Sequence, residues 1–171
     1  MIVAASTTGI LMLMASSTPV VDQAASASLS SSGDFLQPGA ATQAGPVRIK
    51  YEGADGIESI ANGGLVPLGN DLQLGVSVSP YPPTSFDLDV DLYLTTTEGE
   101  PVIDAEVIAV WDMLVMYHGP FETRFTNLGN GHYAAPFEFF MFGPWELATH
   151  VTSPSHGSPE TIALSIYVWP E

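Results

Sequence analysis

Between Asp87 and Leu94 the chain reads DLDVDLYL. In an extended backbone this places Leu88, Val90, Leu92 and Leu94 on one face. Asp87, Asp89, Asp91 and Tyr93 fall on the other, because successive side chains of a strand alternate. No 3.6-residue period fits the segment. The same alternation recurs in Val47–Glu52, Leu72–Ser79, Ala105–Trp111, Glu122–Asn127, His132–Phe139, Trp145–Val151 and Thr161–Trp169. Breaker residues separate these runs: Pro80–Pro83, Thr97–Glu100, Gly129–Gly131, Gly143-Pro144 and Ser153–Pro159. A strand apolar on one face needs a second apolar layer to cover it. The pattern therefore predicts an all-β sandwich of about seven or eight short strands, one domain over residues 47–171.

The first 46 residues have a different character. Residues 2–21 carry no charged side chain, and Ile10–Ala15 (ILMLMA) is a compact apolar run. Ala25-Ser26-Ala27 follows, in the small-residue pattern of a signal-peptidase site. Residues 1–27 are therefore expected to be a signal peptide or a retained N-terminal anchor. Residues 28–46, rich in Ser, Gly, Ala and Gln, are expected to be a linker. The expected location is outside the cytoplasm, periplasmic or extracellular, free or tethered by the N-terminus.

Charge narrows the partners. Of 171 residues, 19 are Asp or Glu and three are basic (Arg48, Lys50 and Arg124), for a formal net charge of −16. Nucleic-acid binding needs clustered Lys and Arg and is not expected. Attraction to anionic lipid is disfavoured on the same ground. The chain has no cysteine, which removes disulfides, thiolate zinc sites, iron–sulfur clusters and the blue-copper centre. No hydrolase elbow, phosphate loop, zincin or dinucleotide motif occurs, so no catalytic residues are expected.

Chemistry concentrates in two short segments. Met113-Leu114-Val115-Met116-Tyr117-His118 holds two thioethers and an imidazole, and Met141 sits in Phe139-Phe140-Met141-Phe142-Gly143-Pro144-Trp145. Beyond residue 27 these are all of the chain's methionines. Thioethers with imidazole suit copper, Cu(I) above all, without a cysteine. The same methionines equally suit the filling of core gaps. In a regular strand Met116 and His118 face opposite to Met113, so convergence requires a bulge or loop at Leu114–Tyr117.

Four motifs occur in order: Glu98-Gly99-Glu100-Pro101-Val102-Ile103-Asp104-Ala105-Glu106-Val107, then the Met-x-x-Met-x-His run, then Leu128-Gly129-Asn130-Gly131-His132-Tyr133, then Phe140-Met141-Phe142-Gly143-Pro144-Trp145-Glu146-Leu147. Together they resemble the YtkA-like domain family, related to FixH-like and CopC-like exported modules. The resemblance covers about Leu72 to Trp169. It implies an immunoglobulin-like β-sandwich that holds or delivers copper, for a haem–copper oxidase of the membrane or for another carrier. It implies Met113, Met116, His118 and Met141 as the metal site.

Two further expectations concern surfaces. Six phenylalanines fall between Phe121 and Phe142 and cannot all face inward, so Phe140 or Phe142 is expected to form an exposed apolar patch that docks a protein partner. His132, His150 and His156 are read as surface histidines, with a His150–His156 metal pair as the alternative. The competing reading of the whole chain is a module of a cell-envelope complex, structural or protein-binding, that carries no metal.

Overall fold

The computed structural model describes residues 48–157 and 159–170. The expected export segment (1–27) and linker (28–46) lie outside the described residues. Eleven strands follow one another: β1 (Ile49–Gly53), β2 (Gly56–Ile60), β3 (Gly64–Leu68), β4 (Leu72–Ser79), β5 (Asp87–Thr96) and β6 (Glu106–Met113). Then come β7 (Phe121–Arg124), β8 (Thr126–Gly129), β9 (His132–Glu138), β10 (Gly143–Thr152) and β11 (Glu160–Val168). Among the described residues no helix is long and apolar enough to cross a membrane.

The strands form two antiparallel sheets, in the orders β2-β1-β11-β10-β6-β7 and β3-β4-β5-β9-β8. The inward residues of both sheets make one core. Leu88, Val90, Leu92 and Leu94 of β5 are all at 2% exposure or below, as the alternation requires. They pack with Leu74 and Val76 of β4, Trp145 and Leu147 of β10, and Leu164 and Ile166 of β11. Each such side chain removed from water contributes about 1.5–3 kcal/mol. The all-β sandwich read from the alternation is the architecture found.

The strand count differs from the seven or eight expected, for three reasons. β2 is exposed over its first four residues, with Ile57 at 74%, and only Ile60 packs partly against the core, so no buried face marks it. β3 is an edge strand that tolerates Pro67, whose missing N–H costs nothing on an unpaired side. The single run expected at Glu122–Asn127 is two strands: β7 pairs with β6 in one sheet and β8 with β9 in the other. Between them Phe125 turns into the core at 5% exposure, its N–H bonded to Val107 O at 2.9 Å.

Gly143-Pro144, expected to interrupt, opens β10 instead. Tyr167, opposite Pro144, donates its N–H to Arg48 O on the far side, so β11 asks nothing of Pro144. The Pro144 carbonyl faces β6 and accepts from Leu114 N at 3.0 Å. The absent Pro144 N–H points the same way, where β6 has already ended.

The sandwich has two unlike ends. The described chain enters at Arg48, beside Tyr167. Loops 61–63, 80–86, 114–120, 139–142 and residues 169–170 gather at this end, and Trp169 N bonds Pro83 O and Phe139 N bonds Phe86 O between them. None of these loops contains Asp, Glu, Lys or Arg. The opposite end, formed by loops 54–55, 69–71, 97–105, 130–131 and 153–159, carries Asp55, Asp71, Glu98, Glu100 and Asp104.

Candidate functional site

The expected metal residues fall at the Arg48 end, in different settings. Met113 is the last residue of β6. Alternation from Val107 through Ala109 and Trp111 turns it inward, at 7% exposure. Its methyl group occupies the space that a side chain at Gly143 would take. Gly143 has φ +141°, a conformation suited to glycine, so the sequence leaves Met113 this place twice over.

β6 stops there, and Leu114–Pro120 form the loop that convergence required. Asp112 Oδ1 closes its base, accepting from Met113 N at 2.8 Å and from His118 N at 3.2 Å. Leu114, Val115, Met116, Tyr117 and His118 are all exposed. The His118 ring stands edge-on to Phe140, with centroids 4.9 Å apart. Met141 follows Phe140, is partly buried against the core, and its carbonyl accepts from Trp145 Nε1 at 3.0 Å. Thus Met116, His118 and Met141 belong to two adjoining loops, while the Met113 side chain belongs to the core.

The phenylalanines sort as chain parity demands. Phe137 and Phe139 point inward and pack around Trp111 with Trp145. Phe140 and Phe142 are exposed at 44% and 39%. Phe142 meets Phe86 at 4.5 Å, and Phe121 meets Phe140 at 5.8 Å. With Leu114–Tyr117 and Trp169, nine of the thirteen exposed large hydrophobics lie at this one end. Sequence reading foresaw the exposure of Phe140 and Phe142. It missed Phe86 and Trp169, which reach the patch only through the loop 80–86 and the end of β11.

The remaining histidines are engaged elsewhere. His132, expected at the surface, is half-buried: its Nε2 lies 2.7 Å from Asp91 Oδ1, and its ring stacks on Tyr93 at 4.5 Å. The cross-strand pairing of β5 with β9 makes Tyr93 and His132 direct neighbours. His150 is exposed, with Nδ1 2.9 Å from Thr161 Oγ1. Among the described residues no group of three or more His, Asp and Glu side chains is placed to hold a metal ion.

His156 joins a polar cluster at the opposite end. Ser153, 3% exposed, donates from Oγ to Asp104 Oδ1 at 2.7 Å, and Ser155 Oγ donates to the same atom at 3.0 Å. Ser155 N bonds Asp104 Oδ2 at 3.2 Å. His156 Nδ1 lies 3.1 Å from Ser153 Oγ and 2.8 Å from Ser155 Oγ. The hydroxyls of Ser153 and Ser155 hold the Asp104 carboxyl below its ordinary range. The two hydroxyls also lie 3.1 Å from each other, so the carboxylate, the two serines and the imidazole form one connected network. The cluster therefore serves to tie loop 153–157 to loop 97–105.

One open hollow of about 260 Å³ lies at the ends of β4, β5 and β9 in the second sheet, between Ser79, Pro80, Asp87, Asp89 and Glu138. Asp87 and Glu138 stand directly opposite each other there. Compared with protein-family models, with curated proteins and with solved structures, the chain matches none.

Proposed function

We propose that this chain is an exported, non-catalytic β-sandwich that docks through its Arg48 end. One observation carries the reading: nine exposed large hydrophobics share that end, eight of them in loops free of charged residues and Phe121 at the start of β7, on a chain of net charge −16. Contiguous apolar patches on a soluble domain mark surfaces that are covered in use. The test replaces Leu114, Val115, Met116 and Tyr117 together by serine. A docking surface contributes little to the fold, so the unfolding free energy stays within about 0.5 kcal/mol of wild type. A loss of several kcal/mol assigns these side chains to the core and ends the reading.

A second reading is copper holding at the same end. It is favoured by the contact of His118 with Phe140, which sets an imidazole beside the loop of Met141, with Met116 exposed two residues before it. Two thioethers and an imidazole are a Cu(I) donor set. The YtkA-like resemblance points the same way, toward a membrane oxidase or another carrier as recipient. Met113, with its methyl against Gly143, would join only if the 114–120 loop rearranged. Cu(I) titration of the full chain against a competing chelator decides. One-to-one binding lost in Met116→Leu/His118→Ala supports the metal site, and no competition by wild type removes it.

A further inference from the structure

We propose that the covering surface is a lipid bilayer. In this arrangement the loops of the Arg48 end rest at the headgroup–acyl boundary. This deepens the docking reading and rests on it.

Charge distribution argues first. A chain with 19 acidic residues places five in the loops of one end and none in the loops of the other. A charge brought into a low-dielectric layer is penalised heavily, whereas a charge on a wet face costs little. Asp87, Asp112, Glu122 and Glu138, the carboxylates of the adjoining strand ends, and Arg48 before β1 stand beside the loops rather than in them. Asp112 is further occupied with the backbone of Met113 and His118.

Residue chemistry argues second. Tyr117, at 81% exposure, Phe140, Phe142 and Trp169 supply aromatic rings, and Leu114, Val115 and Met116 supply aliphatic surface. Amphipathic aromatics are the side chains that favour a membrane–water interface. A protein interface tolerates and uses charged rim residues, which these loops lack.

Position argues third. The described chain enters this end at Arg48, bonded to Tyr167, which pairs with Pro144 two residues after Phe142. Residues 2–21, which precede it in sequence, are uncharged and largely apolar. An apolar segment that entered a bilayer would be joined in sequence to this end of the sandwich, not to the acidic one. The net charge of −16 repels anionic lipid, so the lipid is zwitterionic and the contact is by insertion.

The absence of cysteine makes the test clean. Val115→Cys and, at the opposite end, Glu98→Cys are made in the full chain and labelled with an environment-sensitive fluorophore. Phosphatidylcholine vesicles are then added. The expected result is a blue shift and several-fold brightening at position 115 with no change at 98, and a several-fold weaker response when Tyr117→Asp is added. Vesicle co-sedimentation with a silent label at 115 means that residues before Arg48 alone hold the chain, and overturns the proposal. Equal responses at both positions overturn it as well, as does no response at either. A silent label together with an unchanged stability of the Leu114–Tyr117 serine variant leaves docking intact, with a protein as the occupant. A large loss of stability in that variant removes both readings.

Discussion

Tyr133 carries more of the fold than its place beside a turn suggests. Its hydroxyl donates to Val102 O at 2.9 Å and accepts from Ala105 N at 3.1 Å, with Asn127 Nδ2 at 3.4 Å. It thereby pins the long 97–105 connection to β9. Tyr133→Phe leaves a buried carbonyl and amide without partners, which costs about 1–3 kcal/mol. Urea unfolding is expected to show a lower midpoint with an unchanged slope. Burial pushes the Tyr133 phenol above its ordinary value of 10.0. A raised pKa means that the stabilisation is complete below the unfolded value and is lost as pH rises through the folded one. The gap between wild type and variant is therefore expected to narrow above pH 10, and a constant gap would show that the hydroxyl is not the cause. The turn before Tyr133 was legible in Gly129-Asn130-Gly131. Asn130 and Gly131 have φ of 52° and 73°, the Asn-Gly hairpin conformation, and a side chain at Gly131 would strike Leu94 O. The hydroxyl's two backbone partners, Val102 and Ala105, were not legible, because they lie about thirty residues away in a stretch without periodicity.

At the scale of elements, the chain announced the strands with one buried face and concealed the others. Leu72–Ser79 was found to the residue, and Asp87–Leu94 to within two. β2 was invisible because it buries only part of Ile60, and β3 because its alternation is confined to Val66 and Leu68 around Pro67. The division of β7 from β8 was invisible because Phe125 keeps the parity of a continuous strand while the backbone changes sheets. This crossing makes Phe125 and Phe121 a useful pair. Phe125 is buried against Phe137 at 5.8 Å, whereas Phe121 is 37% exposed. Phe125→Ala is expected to cost about 3–5 kcal/mol, the range for emptying a core aromatic site. Phe121→Ala is expected to cost less than half of that, since much of its ring is already in water and its partners are Trp111 and Phe140. Denaturant unfolding of the two variants compares them directly. Equal losses would place the junction at β7 rather than at Phe125. For the candidate site, the loop that frees Met116 and His118 from strand parity was stated as a requirement and is present. The inward turn of Met113 follows from the alternation of Val107, Ala109 and Trp111 and agrees with core filling, the alternative reading of the methionines; what spacing does not encode is Asp112 capping the loop where β6 ends.

The asymmetry of the two ends exists only in the whole molecule. Each end is assembled from five separate chain segments, so no window of sequence reveals that one set of loops is uncharged and the other carries five carboxylates. The same excess of acid sets the response to salt. Among the described residues the oppositely charged contacts are Arg124 with Glu106 and, when His132 is protonated, His132 with Asp91. The Arg124 pair is more than half exposed on both sides, and such pairs contribute about 0–1 kcal/mol. Against it stand the unpaired carboxylates of β5 and the Asp87–Glu138 juxtaposition, where like charges face each other across two strands. Self-repulsion at a net charge of −16 favours the expanded chain. Screening should therefore relieve more repulsion than attraction. Thermal unfolding followed by circular dichroism at pH 7 is expected to move to higher temperature between low salt and about 0.5 M sodium chloride. The effect should flatten as the Debye length falls toward about 3 Å near 1 M. Replacing Glu98 and Glu100 by glutamine should raise the low-salt midpoint and reduce the salt dependence, since both lie at the crowded acidic end. A midpoint that falls with salt would mean that the two paired contacts outweigh the repulsion. A midpoint that rises makes the concentration of charge at one end a cost of keeping the other end bare.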